Sequence, residues 1–208
     1  MNKHPLYLFF CLFIFGCGGG GGGSSMPEQV IVDNDNSYQG ETCADTNRVG
    51  MKKCDLKHDN IDRFYYVYTP NNLDSNKSIP VLFAFHGYGS SAMRHLNYTN
   101  YFSIADLNNF IVVYPQGSTT ATLSSHWNVG GWTSKSTTND IDFVDTVINL
   151  LKDKIPIDEL RIYSSGMSNG GYMGYHLACN LSSKFAAIAS VTGSMTNDTF
   201  NDCNPSHP

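Results

Sequence analysis

Gly166-Met167-Ser168-Asn169-Gly170 constrains this chain more than any other stretch. A serine with a glycine two residues away on each side lies here between a strand-like run, Leu160 to Ser165, and a helix-like run, Asn169 to Cys179. That context predicts a nucleophile elbow, a sharp strand-to-helix turn that lifts the serine hydroxyl above the end of a sheet. Gly170, Gly171 and Gly174 each cost the following helix about 1 kcal/mol of propensity. They make sense where that helix must lie close to the sheet.

The rest of the chain supplies a sheet for such a turn. Asp62-Arg63-Phe64-Tyr65-Tyr66-Val67-Tyr68 is strand-like and ends at Pro70. Pro80 to Phe85 and Phe110 to Tyr114 are continuous apolar runs, as expected of strands buried on both faces. Ile141, Val144, Ile148, Leu151 and Ile155 recur at helical spacing and predict an amphipathic helix, with Asn139 or Asp140 as its cap and Pro156 as its stop. Phe185 to Val191 predicts another buried strand. Strands alternating with helices imply a mostly parallel sheet covered on both faces. Residues 26–60 are polar, rich in Asn and Asp, and without a clear period. They read as a tether and an irregular lead-in. Ala186 to Val191 would be an apolar, unpaired edge if the chain stopped soon after it, which natural proteins avoid. Further strands are therefore expected beyond it.

Ser168 is the candidate nucleophile, and a serine hydroxyl needs a base to become one. Acyl transfer also needs two N–H donors for the developing oxyanion. One is expected to be the backbone N–H of Asn169. The other is expected from His86-Gly87-Tyr88-Gly89, which follows a buried strand, with the Tyr88 N–H as donor; a plain glycine-rich turn is the alternative. In an α/β-hydrolase the acid and the histidine follow the serine, and only 40 residues follow Ser168. His176 lies about 12 Å away along the same helix and reads as surface or packing. His86 with Asp140 or Asp142 would give an order known on other folds, but His86 sits in the expected oxyanion loop. His207 has no element to hold it, and His58, His95 and His126 read as surface residues. Asp140 and Asp142 suit a helix start. Trp127 and Trp132 are candidates for the wall of the substrate cleft, or for aromatics that pin a long loop.

At 208 residues with 15% charged residues and a net charge of −5, the chain is one domain's worth of sequence. It is not basic enough for nucleic acid. Lys3 and the apolar run Leu6 to Phe15 have the form of a signal peptide and are too short to span a bilayer. Ile14-Phe15-Gly16-Cys17 resembles the lipobox of bacterial lipoproteins, and Gly18 to Ser25 is a flexible tether. We therefore divide the chain into a lipoprotein-type signal peptide (1–16), a lipidated Cys17 with its tether (17–40), and an incomplete catalytic domain (41–208). An ordinary secretory signal is the alternative. Either way the protein is expected to be exported, at a bacterial surface through a lipid anchor or outside the cell. Four cysteines then remain for disulfides: Cys43 with Cys54, and Cys179 with Cys203, as the local pairing among three possibilities. No spacing supports zinc, and no metal or cofactor is expected.

Several blocks occur together in one order: Arg63-x-Tyr65-x-Val67-Tyr68-x-Pro70, Phe85-His86-Gly87-Tyr88-Gly89, Tyr114-Pro115-Gln116-Gly117, Asp140-Ile141-Asp142-Phe143-Val144, and Arg161 through Met173 across the serine. Leu177-Ala178-Cys179 and Phe185 to Ala189 continue them. These blocks resemble the polyhydroxybutyrate-depolymerase-type esterases, a group related to feruloyl and acetylxylan esterases, over about residues 60 to 205. The resemblance implies an α/β-hydrolase fold and cofactor-free ester hydrolysis, with Ser168 as nucleophile and Tyr88 and Asn169 as oxyanion donors. Its implied substrates are a polyester of the polyhydroxyalkanoate type or feruloyl and acetyl esters of plant polysaccharide. Members of that group carry an Asp and then a His in a later stretch that has no counterpart here. The expectation is an inactive, C-terminally truncated piece lacking the last strands. A lipid-anchored binding protein on the same scaffold and a serine peptidase are the competing readings.

Overall fold

The computed structural model describes residues 38–74, 76–119 and 124–206. The expected signal peptide, Cys17, most of the tether and His207 lie outside the described residues. No helix among them is long and apolar enough to cross a membrane.

Seven strands form one sheet in the order β1-β2-β3-β5-β4-β6-β7. β1 (Tyr38–Asp45), β2 (Met51–His58) and β3 (Ile61–Tyr68) form an antiparallel meander, and β3 pairs antiparallel with β5 (Ile111–Pro115). From β5 onward the sheet is parallel: β5 pairs with β4 (Ile79–Phe85), β4 with β6 (Ile157–Met167), and β6 with β7 (Phe185–Val191). The parallel half is the part that the alternating pattern predicted. The antiparallel half corrects the reading of residues 26–60 as irregular, because β1 and β2 fall within that range. Their pairing places Cys43 opposite Cys54, and a disulfide joins them.

The sheet has a core on each face. On one face, Val81, Phe83 and Phe85 of β4 and Val113 of β5 pack with Phe143, Val144, Val147, Ile148 and Leu151 of α3 (Asp140–Lys152) and with Met173 and Leu177 of α4 (Asn169–Asn180). On the other, Ala84, Val112 and Tyr114 meet Ala92 and Leu96 of α1 (Ala92–Thr99) and Phe102 and Ala105 of α2 (Phe102–Asn108). Neighbouring residues of β4 and β5 thus feed opposite cores, as the two-residue period of a strand requires. The helix expected from Ile141 onward is α3. The Asn139 side chain caps it by accepting from the Asp142 N–H at 3.1 Å.

A short α5 (Asn197–Asn201) follows β7, and a disulfide between Cys179 and Cys203 ties its end to α4. Both favoured cysteine pairings are therefore present. Among the described residues no strand covers the outer edge of β7, where Ala186, Ala187, Ala189 and Val191 are exposed.

Candidate active site

β6 runs straight into α4, and Ser168 is the single residue between them. Its backbone sits at φ 52°, ψ −118°, a conformation that costs a non-glycine residue free energy and survives where surrounding structure enforces it. The enforcement here is steric. A Cβ on Gly166 would lie 2.1 Å from the Gly170 carbonyl oxygen, and one on Gly170 would lie 2.2 Å from the Phe85 carbonyl oxygen. Strand, turn and helix therefore approach more closely than any side chain permits. The Ser168 N–H donates to the Val191 carbonyl at 2.8 Å and pins the turn to the end of β7. The sequence-predicted elbow is realised.

The loop after β4 lies against this turn. A Cβ on Gly87 would be 3.3 Å from the Met167 carbonyl oxygen and 3.6 Å from the Ser168 Cβ. Gly87, Tyr88 and Ser168 line one cleft. The Asn169 N–H opens α4, where a helix has no acceptor of its own for its first amides. Tyr88 thus lines the cleft with Ser168, and Asn169 directly follows the serine at the start of α4.

His86 holds this loop. It is fully buried. Its Nδ1 lies 2.8 Å from the Gly87 carbonyl oxygen and its Nε2 accepts from the Gly117 N–H at 2.9 Å. Those partners select the neutral tautomer with the proton on Nδ1. Burial pushes the His86 pKa down to about 4. With both nitrogens engaged, His86 is a scaffold residue and not a base for Ser168. Gln116 extends the network, accepting from the Ala92 N–H at 2.9 Å and donating to Ser125 Oγ at 2.6 Å.

Trp127 and Trp132 separate sharply. Trp127 is fully buried, which corrects its assignment to the cleft wall. Its indole N–H donates to the His86 carbonyl at 2.9 Å, and Asn169 grips its backbone. Trp132 is 51% exposed and stands in edge contact with Tyr88 at 5.6 Å and Tyr172 at 6.0 Å between ring centroids. Tyr88 flanks Ser168 in the cleft, so these three rings form an aromatic wall running from it. The Trp132 loop is fastened from α5: Asp198 Oδ2 accepts from the Gly131 N–H at 2.6 Å, and the Thr196 and Thr199 hydroxyls donate to the Val129 carbonyl.

The acidic candidates are structural. Asp140 is buried and pairs with Arg63 at 2.6 Å. Its other oxygen accepts from the Asn128 N–H at 2.7 Å. Asp142 pairs with His58 at 2.8 Å. His176 meets the Thr199 hydroxyl at 3.0 Å. His58, His95 and His126, read from sequence as surface residues, are all buried. Burial pushes His95 down to about 4. Among the described residues no histidine is hydrogen-bonded to the Ser168 hydroxyl. His95, Arg94, Tyr98 and Tyr172 are the site-bordering residues that sequence reasoning missed. The first three stand on α1, a helix of only 8 residues that the sequence reading did not place.

The family model described as the prolyl oligopeptidase family matches residues 96–204, just over half of the chain. Among curated proteins, the chain is 34% identical over 131 residues to the bifunctional acetylxylan esterase/xylanase of Neocallimastix patriciarum, covering 63% of this chain and 18% of that protein. It is 33% identical over 130 residues to feruloyl esterase B of Thermothelomyces thermophilus, covering 62% of this chain and 43% of the relative. The chain thus spans less than half the length of these two relatives. Among solved structures, the acetyl xylan esterase from Aspergillus awamori superposes with a TM-score of 0.52 at 20% identity, covering 66% of this chain and 51% of that one. That likeness shows a shared α/β-hydrolase fold. With the elbow, the mixed sheet and the family match taken together, the chain belongs to the prolyl oligopeptidase family of α/β-hydrolases.

Proposed function

We propose that this protein is an exported serine esterase that works through an acyl-enzyme on Ser168. The observation that carries the proposal is the strained Ser168 backbone at a positive φ of 52°, flanked by Tyr88 and by the first amide of α4. In this reading Ser168 Oγ attacks the ester carbonyl carbon while a base takes its proton. The Tyr88 and Asn169 N–H groups hold the negative charge that develops on the carbonyl oxygen. Collapse of the tetrahedral intermediate expels the alcohol, which regains that proton, and water then releases the acid by the same route. No histidine among the described residues is bonded to Ser168, so the base is proposed to lie outside the described residues.

The sequence relatives named above support ester substrates, and the Tyr88–Trp132–Tyr172 wall, with Tyr88 and Trp132 exposed and Tyr172 half-buried, suits a flat aromatic or sugar ring. We propose feruloyl or acetyl esters of plant polysaccharide, or a polyhydroxyalkanoate-type polyester, as substrates. Export rests on the two disulfides, which persist in oxidising compartments. The lipid anchor at Cys17 rests on the sequence alone. In the complete gene product, Ser168→Ala should abolish hydrolysis of para-nitrophenyl acetate and labelling by a fluorophosphonate. Full retention of either would overturn the assignment. A serine peptidase is the second reading, favoured by the peptidase family to which the chain belongs; faster cleavage of peptides than of esters would establish it.

A further inference from the structure

The cleft at Ser168 has a volume of about 380 Å³ and is lined by Gly87, Tyr88, Ser90, Arg94, His95, Tyr98, Met167 and Ser168. Its composition is one-sided. It contains a guanidinium, an imidazole, two phenols and two hydroxyls, and no carboxylate. Arg94 is exposed. Among the described arginines, Arg63 and Arg161 pair with carboxylates and Arg48 lies over the Phe102 ring. Arg94 has no such partner among the described residues. His95 is only 6% exposed, and its Nε2 is buried without a hydrogen-bond partner. Buried polar atoms are rarely left unpaired, and each one calls for an explanation.

We propose that this cleft is a subsite for an anionic group, so that the preferred ester carries a carboxylate beside its scissile bond, paired by Arg94 and hydrogen-bonded by His95. The inference rests on the esterase reading of Ser168 and names the substrate class that reading leaves open. Arg94 supplies charge from the rim, where a guanidinium is matched to a planar carboxylate. His95 stands deeper, and its low pKa keeps it neutral near neutral pH. A neutral imidazole brings a donor without a second buried charge. The lack of any acidic residue in the lining removes the repulsion that would otherwise reject such a ligand. The protein carries a net charge of −5, so the single positive charge that Arg94 brings to this acid-free cleft is a local feature and not a consequence of overall composition.

Two experiments on the full-length gene product test the subsite, one of them independent of turnover. The first compares hydrolysis of mono-para-nitrophenyl succinate with that of para-nitrophenyl butyrate, which is close in size and neutral. The ratio of their kcat/KM values is expected to favour the succinate. It should fall about fivefold or more in Arg94→Ala, recover in Arg94→Lys, and decline with added salt, as an exposed ion pair requires. A ratio that neither Arg94→Ala nor salt changes would overturn the subsite. The second measures binding of monomethyl succinate and of methyl butyrate to the Ser168→Ala protein by the NMR shift of the His95 ring. Arg94-dependent binding of the succinate alone is expected. Equal binding of both probes, or no shift at His95, overturns the subsite. Arg94-dependent binding in a protein that hydrolyses neither ester would leave the subsite standing and remove the esterase reading.

Discussion

Asn169 grips Trp127 twice. Its Oδ1 accepts from the Trp127 N–H at 2.7 Å, and its Nδ2 donates to the Trp127 carbonyl at 3.1 Å. Both residues are fully buried. The residue proposed to give a backbone amide to the oxyanion therefore also locks the Trp127 segment through its side chain. Asn169→Ala keeps the backbone amide and leaves two buried polar groups of Trp127 without partners. It is expected to cost about 2–6 kcal/mol, since each orphaned group costs roughly 1–3. Urea denaturation reads the loss. A midpoint equal to that of the parent would show that the clamp is not structural.

Gly166 and Gly170 meet across the elbow. Alanine at either position places a Cβ about 2 Å from backbone oxygen, too close for any side-chain adjustment to relieve. Gly166→Ala is expected to cost more than the roughly 1–3 kcal/mol of ordinary overpacking, and to remove Ser168 labelling by a fluorophosphonate in the complete protein. Gly87→Ala, with its nearest contact at 3.3 Å, is expected to be milder. Equal effects in the two variants would contradict the steric account.

Arg63 and Asp140 form a buried ion pair at 2.6 Å, with the guanidinium stacked 3.8 Å from the Phe143 ring centroid. Asp140→Ala strands a buried charge and is expected to cost about 3–5 kcal/mol. Joint replacement by Arg63→Met and Asp140→Leu is expected to cost less than the sum of the single changes, because neither charge is then left alone. A double-mutant cycle measures the difference, and strict additivity would argue against coupling.

His86 and His95 make the protein sensitive to acid. An unfolded chain protonates histidine near pH 6.5, while burial holds His86 and His95 neutral down to about pH 4. Between those values the unfolded state binds more protons. Stability is thus fully present above the window and is lost as the pH falls through it. His86 alone contributes on the order of 3 kcal/mol across the window. The urea midpoint is expected to drop markedly from about pH 7 to about pH 4, and His86→Gln should flatten that dependence while lowering stability throughout. An unchanged pH slope in the variant would show that other groups dominate.

The Cys179–Cys203 bridge closes a sequence separation of 24 residues and holds α5, which fastens the Trp132 loop through Asp198. Replacing both cysteines by serine is expected to cost about 2–4 kcal/mol. Under the proposed esterase activity, Asp198→Ala is expected to raise KM for bulky aromatic esters with little change in kcat, by releasing Gly131 and with it Trp132. An equal loss on acetyl and aromatic esters would indicate a general structural defect instead.

Sequence reading and structure part company at definable places. β4 and β5 were legible because strands buried on both faces are almost wholly apolar. β6 was legible as the run into the Gly-x-Ser-x-Gly turn, and β7 as an apolar run, although β7, expected to be buried, is largely exposed. α3 was legible because its apolar period survives end to end. β2 escaped notice although Cys54, Leu56 and His58 alternate inward, since lysines and an aspartate lie between them. β1 is exposed along nearly its whole length and leaves no pattern to read; its place comes from pairing with β2. The histidines misled for a related reason. Polar neighbours in sequence suggested a surface, whereas His58, His95 and His126 are buried beside residues distant in the chain.

By itself the sequence determined the elbow at Ser168 and the parallel half of the sheet, and it favoured the two disulfides that the structure then showed. These depend on local geometry and periodicity: glycines where backbones nearly touch, mainly apolar strands, cysteines close enough in sequence to pair. Only the tertiary structure decided that Trp127 is buried while Trp132 faces outward, that His86 is a bracket, and that Arg94 and His95 share a cleft with the serine. Those outcomes depend on which side chains from separate elements meet across the sheet, and that information is carried by packing and not by spacing along the chain.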